Sequence, residues 1–213
     1  MTLTNILLVE DSEQNIKDAQ DVLGNLKVAK SLAQFEEHLS QEKPDCVLSD
    51  LYFPTGYNNE KHERIKAESA VMVEDYISQC QRINSNPIGT ALEQIFKAKG
   101  ITSIDEYFEL FKDDPIVKQY KDHIRHSYDN FEQVKSYKKL AEEMRNDFHQ
   151  LPSGIFVYRR CLEEKIPVVI VTSAYHHGIE FQPFVNHVGT YVDTAVDNKK
   201  DWKKALEYIN RGK

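Results

Sequence analysis

Three short apolar runs, each closing on an acid or a hydroxyl, constrain this chain more than any other feature. Ile6-Leu7-Leu8-Val9 runs into Glu10-Asp11-Ser12, Cys46-Val47-Leu48 into Ser49-Asp50, and Val168-Val169-Ile170-Val171 into Thr172-Ser173. Continuous apolar runs this short suit strands buried on both faces, as in a parallel sheet covered by helices. Between the first two runs, Ile16, Ala19, Val22 and Leu23 share a helical face that Gly24-Asn25 stops. Leu26 to Ala29 then form a strand, and Leu32, Phe35, Glu36 and Leu39 a second helix ending before Lys43-Pro44. The reading to Asp50 is therefore β-α-β-α-β. After Pro152-Ser153-Gly154 the rhythm returns: a helix over 155–164, the strand from Val168, a helix over about 179–187, a strand at Thr190-Tyr191-Val192, and an amphipathic helix with Trp202, Ala205, Leu206 and Ile209. Five strands and five helices in this order predict an α/β fold built on a doubly wound sheet.

The rhythm is broken by the 99 residues 54–152, which carry helical signals throughout. Ile65, Ala70, Val73, Ile77 and Cys80 form one apolar stripe, and Leu92, Ile95 and Phe96 another that ends at Gly100. Ser103-Ile104-Asp105-Glu106 is a capping box, and Asp114 precedes a proline suited to the first position of a helix. From Pro115 to about Phe148, apolar residues recur at steps near three and four: Ile116, Tyr120, Ile124, Phe131, Val134, Leu140 and Met144. Three or four helices are expected here. The predicted organisation is a discontinuous α/β domain, 1–53 with 153–213, and a helical insertion over 54–152.

Charge narrows the partners. The chain carries −7 with a pI near 5.6, divided as −3 over 54–152 and −4 over the rest. Neither part has the clustered basic face that nucleic-acid binding requires. No apolar stretch approaches the ~20 residues of a membrane span, and no basic leader precedes Ile6, so a cytoplasmic protein without membrane contact is expected. Cys46, Cys80 and Cys161 are odd in number and widely spaced, which fits reduced, buried or neutral thiols better than disulfides or zinc. His123 and His126, and the adjacent His176 and His177, lack a third ligand nearby in sequence, so no histidine metal site is expected.

In an open parallel sheet the ligand site lies beyond the carboxyl ends of the strands, where Glu10-Asp11, Asp50 and Thr172-Ser173 converge. Three crowded carboxylates need a hard cation, and an oxygen-only set completed by water suits Mg²⁺. Glu10, Asp11 and Asp50 are the candidate ligands.

Through Ile6 to Ser12, the strand end at Asp50, and Ile166-Pro167 to Ser173, the chain resembles the response-regulator receiver family over 1–53 and 153–213. Ser153-Gly154 with Arg159-Arg160 is similar to that family's third helix. The resemblance implies the strand order 2-1-3-4-5, which is also the standing example for flavodoxin-like folds. It implies that Asp50 accepts a phosphoryl group from a partner's phosphohistidine, and that the backbone carbonyl of Tyr52 joins the acids on Mg²⁺. Thr172 would then bond the phosphoryl oxygen, with Tyr191 as an aromatic switch that turns inward with it. The family's lysine falls on Thr194 here and the following proline on Ala195, while Lys199 and Lys200 reach the site only if their loop folds over it.

The implied function is two-component signalling by an atypical receiver, which is not an enzyme beyond its own phosphotransfer and dephosphorylation. Its partners would be a histidine kinase or phosphotransfer protein upstream, and an unidentified protein contacted through the insertion downstream, since no output domain follows Trp202 to Lys213. The alternative is a phosphorylation-independent pseudo-receiver acting as a scaffold, with the acids vestigial, Thr172 and Ser173 capping the next helix, and Tyr191 in the core. An aspartate-based phosphatase is a third class, but the common DxD motif on a first strand is missing: Leu51 and Tyr52 follow Asp50 on the third.

Overall fold

The computed structural model describes residues 5–83, 87–146, 150–174, 178–193 and 199–211. The chain divides into two compact units, residues 1–72 with 142–213, and residues 73–141. The second unit is thus narrower than the break in the β-α rhythm.

In the first unit, β1 (Ile6–Val9), β2 (Lys27–Ala29), β3 (Cys46–Ser49), β4 (Val168–Thr172) and β5 (Tyr191–Asp193) form one sheet. All its pairs are parallel, in the order β2-β1-β3-β4-β5. The alternation of side chains along each strand sorts the core into two layers. Ile6, Leu8, Cys46, Leu48, Val169 and Val171 face one way, onto α1 (Glu13–Leu23) and α8 (Trp202–Arg211) through Ile16, Ala19, Trp202, Ala205 and Ile209. Leu7, Val9, Val47 and Val168 face the other way, onto α2 (Leu32–Gln41) and α7 (Ser153–Glu163) through Phe35, Val157 and Cys161. Burial on both faces is why these strands carry uninterrupted apolar runs, each full side chain contributing about 1.5–3 kcal/mol. Cys46 and Cys161 are buried, and burial pushes the Cys161 thiol up to about 12, so it stays neutral.

Two details depart from expectation. The helix expected over 179–187 is a 3-10 helix at Gln182–His187. Pro183 withholds a backbone donor, and the three-residue turn stacks Phe181 and Phe184 on one side, where both are buried. Val22, assigned to the apolar face of α1, is exposed.

Among the described residues, the stretch between the two halves of the sheet forms four helices: α3 (Glu60–Ile83), α4 (Pro87–Lys99), α5 (Ile104–Leu110) and α6 (Pro115–Asn146). Their caps follow the sequence signals. The Ser103 hydroxyl accepts from Glu106 N–H, and the Glu106 carboxylate accepts in return from Thr102 N–H. Asp114 accepts from the N–H groups of Ile116 and Val117. The long α6 leaves helical geometry at Tyr120 (φ −110°, ψ 17°), and both Ile116 and Tyr120 on its N-terminal side are exposed. Within residues 73–141, the core is Leu92, Phe96, Ile101, Ile104, Tyr107, Phe108 and Val117. Gly89 lies so close to Phe131 that a Cβ there would sit 2.6 Å from that side chain.

Candidate metal and phospho-acceptor site

Parallel pairing brings the carboxyl ends of β1 and β3 side by side. Asp50 N–H donates to the carbonyl of Val9, and Glu10 N–H to that of Ala29, so both acids sit where the ladder ends. One carboxylate oxygen from each of Glu10, Asp11 and Asp50 lies within 4.8 Å of the others, and among the described residues this is the one acidic, cysteine or histidine group of three so placed. They floor a cleft of about 340 Å³ that Ser12, Tyr52, Thr172 and Glu180 also line.

The three acids differ in their surroundings. Glu10 is fully buried; one of its oxygens accepts from Ser12 N–H at 3.0 Å and the other is ion-paired to the Lys200 ammonium. Asp50 accepts from Leu51 N–H at 2.7 Å through Oδ1, and its Oδ2 lies 2.8 Å from Lys200 Nζ. Asp11 is partly exposed, and its Oδ2 accepts from the Gln150 amide at 3.0 Å. The Lys200 side chain is 1% exposed. It is therefore a buried cation shared between two carboxylates.

Lys200 is the site residue that strand counting misses. The equivalence of Thr194 to a lysine position falls outside the described residues, whereas Lys200 immediately precedes Asp201, whose carboxylate caps α8 by accepting from Lys204 N–H. Trp202, 3% exposed, anchors the start of α8 in the core, and Lys200 Nζ lies 5.8 Å from its ring centroid. The cap and the buried tryptophan act together, and only the tryptophan was legible in sequence. That they aim the preceding lysine under the acids is a property of how α8 packs on β4 and β5.

Burial pushes the Asp50 carboxyl up to about 6, with Glu10 adding to the rise and the Lys200 charge opposing it. The Asp11 carboxyl is raised too, first by burial and then by Glu10, against the pull of its own N–H and of Gln150. A carboxyl whose pKa is higher folded than unfolded stabilises the fold below its unfolded value of 3.8. That contribution is lost as pH rises through about 6. Denaturation of wild type and Asp50→Asn between pH 4 and pH 7 is expected to show stability falling more steeply in wild type; parallel curves would contradict it.

Of the other predicted positions, Thr172, Ser173 and Tyr52 line the same cleft and Tyr191 does not. Thr172 Oγ1 accepts from Ala174 N–H at 3.0 Å, a local turn of the capping kind, and an accepting hydroxyl retains its own proton to donate. Tyr191 is half-buried against Phe181, ring centroids 4.8 Å apart. The Tyr52 hydroxyl donates to the carbonyl of Glu180 across the cleft. Of the histidines, His123 and His126 are exposed on α6 and belong to no ligand group, while His149, His176 and His177 lie outside the described residues.

Three carboxylates and one ammonium leave two negative charges, which a divalent ion would balance. The three acids offer oxygen donors alone, a set that could hold a metal ion. No helix among the described residues is long and apolar enough to cross a membrane. Comparison with protein-family models, curated proteins and solved structures returns no match.

Proposed function

We propose that this protein is an atypical receiver of a two-component phosphorelay, which takes a phosphoryl group on Asp50 with Mg²⁺ and signals by protein–protein contact. The observation that carries the reading is the triad of Asp50, Glu10 and Lys200 at the ends of β1 and β3, with Asp11 and Thr172 beside it. An oxygen of Asp50 attacks phosphorus, the bond from phosphorus to the donor's imidazole nitrogen breaks, and the imidazole keeps the electron pair and takes up a proton. Lys200 supplies the fixed positive charge that the resemblance places at Thr194. Its ammonium, already 2.8 Å from Asp50 Oδ2, is positioned to hold a phosphoryl oxygen by a charge-assisted hydrogen bond. The Thr172 hydroxyl donates to a second phosphoryl oxygen.

Glu10, Asp11 and Asp50, with the Tyr52 carbonyl, would hold Mg²⁺, which offsets charge on the incoming phosphoryl group. A histidine kinase or a phosphotransfer protein in the cytoplasm is the donor, and the helical insertion supplies the surface read downstream. One observation favours the alternative of a phosphorylation-independent scaffold: Asp50, whose side chain is only 12% exposed, already has its Oδ2 paired to Lys200.

Intact-mass spectrometry after incubation with acetyl phosphate separates the two. A phosphoryl adduct that needs Mg²⁺ and vanishes in Asp50→Asn is expected. An unmodified wild-type chain under the same conditions would leave the scaffold.

A further inference from the structure

The chain leaves the sheet after Asp50 and returns to it at Leu151, and these two stems are joined to each other beside the acids. Gly154 N–H donates to the carbonyl of Leu51 at 2.9 Å, Phe53 N–H to that of Leu151 at 3.3 Å, and the Ser153 hydroxyl to that of Phe53 at 2.9 Å. The departing stem is also tied to α2, whose Leu32 and Ala33 N–H groups donate to the carbonyls of Pro54 and Thr55. Gln150, four residues beyond the end of α6 at Asn146, adds one contact of a different kind: its Nε2 donates to Asp11 Oδ2 at 3.0 Å. The backbone bonds named above join the stems to each other or to α2. The Gln150 bond joins the returning stem to a candidate ligand.

We propose that Gln150 is a positioning residue for the ion site, through which the inserted helices set divalent-ion affinity and, reciprocally, sense its occupancy. The proposal rests on the receiver reading of Glu10, Asp11 and Asp50. Asp11 is the least buried of the three acids and has no ion pair to Lys200 like those of Glu10 and Asp50. Its orientation therefore depends on hydrogen bonding. A carboxylate has two oxygens, so Asp11 offers Oδ1 to an ion while Gln150 retains Oδ2. Partners of this kind fix the rotamer of a ligand, and their loss costs about 10–100-fold in metal affinity. Linkage then requires the converse: an ion that binds better when Gln150 is seated also favours the seated state of the stem from which α6 runs back.

The test titrates Mg²⁺ by calorimetry into the full chain as wild type, Gln150→Leu and Asp11→Asn/Asp50→Asn, and follows amide exchange along residues 115–146 with and without the ion. Leucine keeps the bulk and removes the donor. Gln150→Leu is expected to bind about 10-fold more weakly, with an unchanged melting temperature in the absence of the ion. The ion-dependent change in α6 exchange seen in wild type should shrink with it. Equal affinity in wild type and Gln150→Leu, or α6 exchange indifferent to Mg²⁺ in wild type, overturns the proposal. Binding that survives in Asp11→Asn/Asp50→Asn overturns instead the site on which it rests.

Discussion

Lys200→Met is expected to destabilise the protein by about 3–5 kcal/mol at pH 7, the range for removing one partner of a buried ion pair. The cost arises from what remains. Glu10 and Lys200 are each 1% exposed at the side chain and Asp50 12%, so water replaces the lost counter-ion poorly, least of all at Glu10. Two features distinguish this from lost packing, which methionine largely preserves. The deficit should shrink toward pH 5, as the already raised Asp50 carboxyl takes up a proton, and it should shrink when Glu10→Gln or Asp50→Asn removes one of the stranded charges. Mg²⁺ at millimolar concentration should restore part of it through binding to the folded state alone. Urea denaturation across this set measures all three effects. A cost below about 1 kcal/mol in Lys200→Met would mean that the triad does not hold in solution.

Gly154→Ala is the second substitution with a large expected effect. A Cβ at this position would sit 2.2 Å from the carbonyl oxygen of Asp50 and 2.9 Å from Leu51 Cα. Both are backbone atoms, and neither can swing aside. The first turn of α7 must back away from the end of β3, breaking the Gly154–Leu51 hydrogen bond and moving Asp50 with its neighbours. Overpacking of this kind costs about 1–3 kcal/mol and sometimes more. Here divalent-ion binding and phosphorylation should fall with it, because Asp50 itself is displaced. Gly189→Ala supplies the contrast. Its Cβ would meet the Tyr158 hydroxyl at 2.2 Å, the far end of a side chain that can rotate away. Gly189→Ala is expected to be the milder change in stability and to leave ion binding intact; the reverse ranking would refute the account of Gly154.

These two residues mark the boundary between what was legible in the chain and what was not. The strands announced themselves because a parallel sheet buries both faces, so that Ile6 to Val9 and Val168 to Val171 carry no polar residue at all. The acids were legible for the complementary reason: polar residues directly after such runs have nowhere to lie but the rim of the sheet. Caps at Ser103 and Asp114 were equally plain, since the groups they satisfy are their own neighbours in sequence. The segment over 179–187 misled because Phe181 and Phe184, three apart, suit an α-helix and a 3-10 turn alike, and only the fit of both rings into the core selects the tighter turn.

Lys200 was legible only as a candidate conditional on its loop folding over the site, and Gln150 not at all. Each meets its partner across a separation in sequence well beyond any local pattern, 190 residues from Glu10 and 139 from Asp11. By itself, the sequence determined the strands, their buried faces, the acids at their ends and the place where the β-α rhythm breaks. These follow from periodicity and from the cost of burying a polar group without a partner. The tertiary structure alone decided which cation neutralises the acids and which amide holds Asp11. Those choices depend on where α8 and the returning stem come to rest, and many sequences with the same pattern would pack them differently.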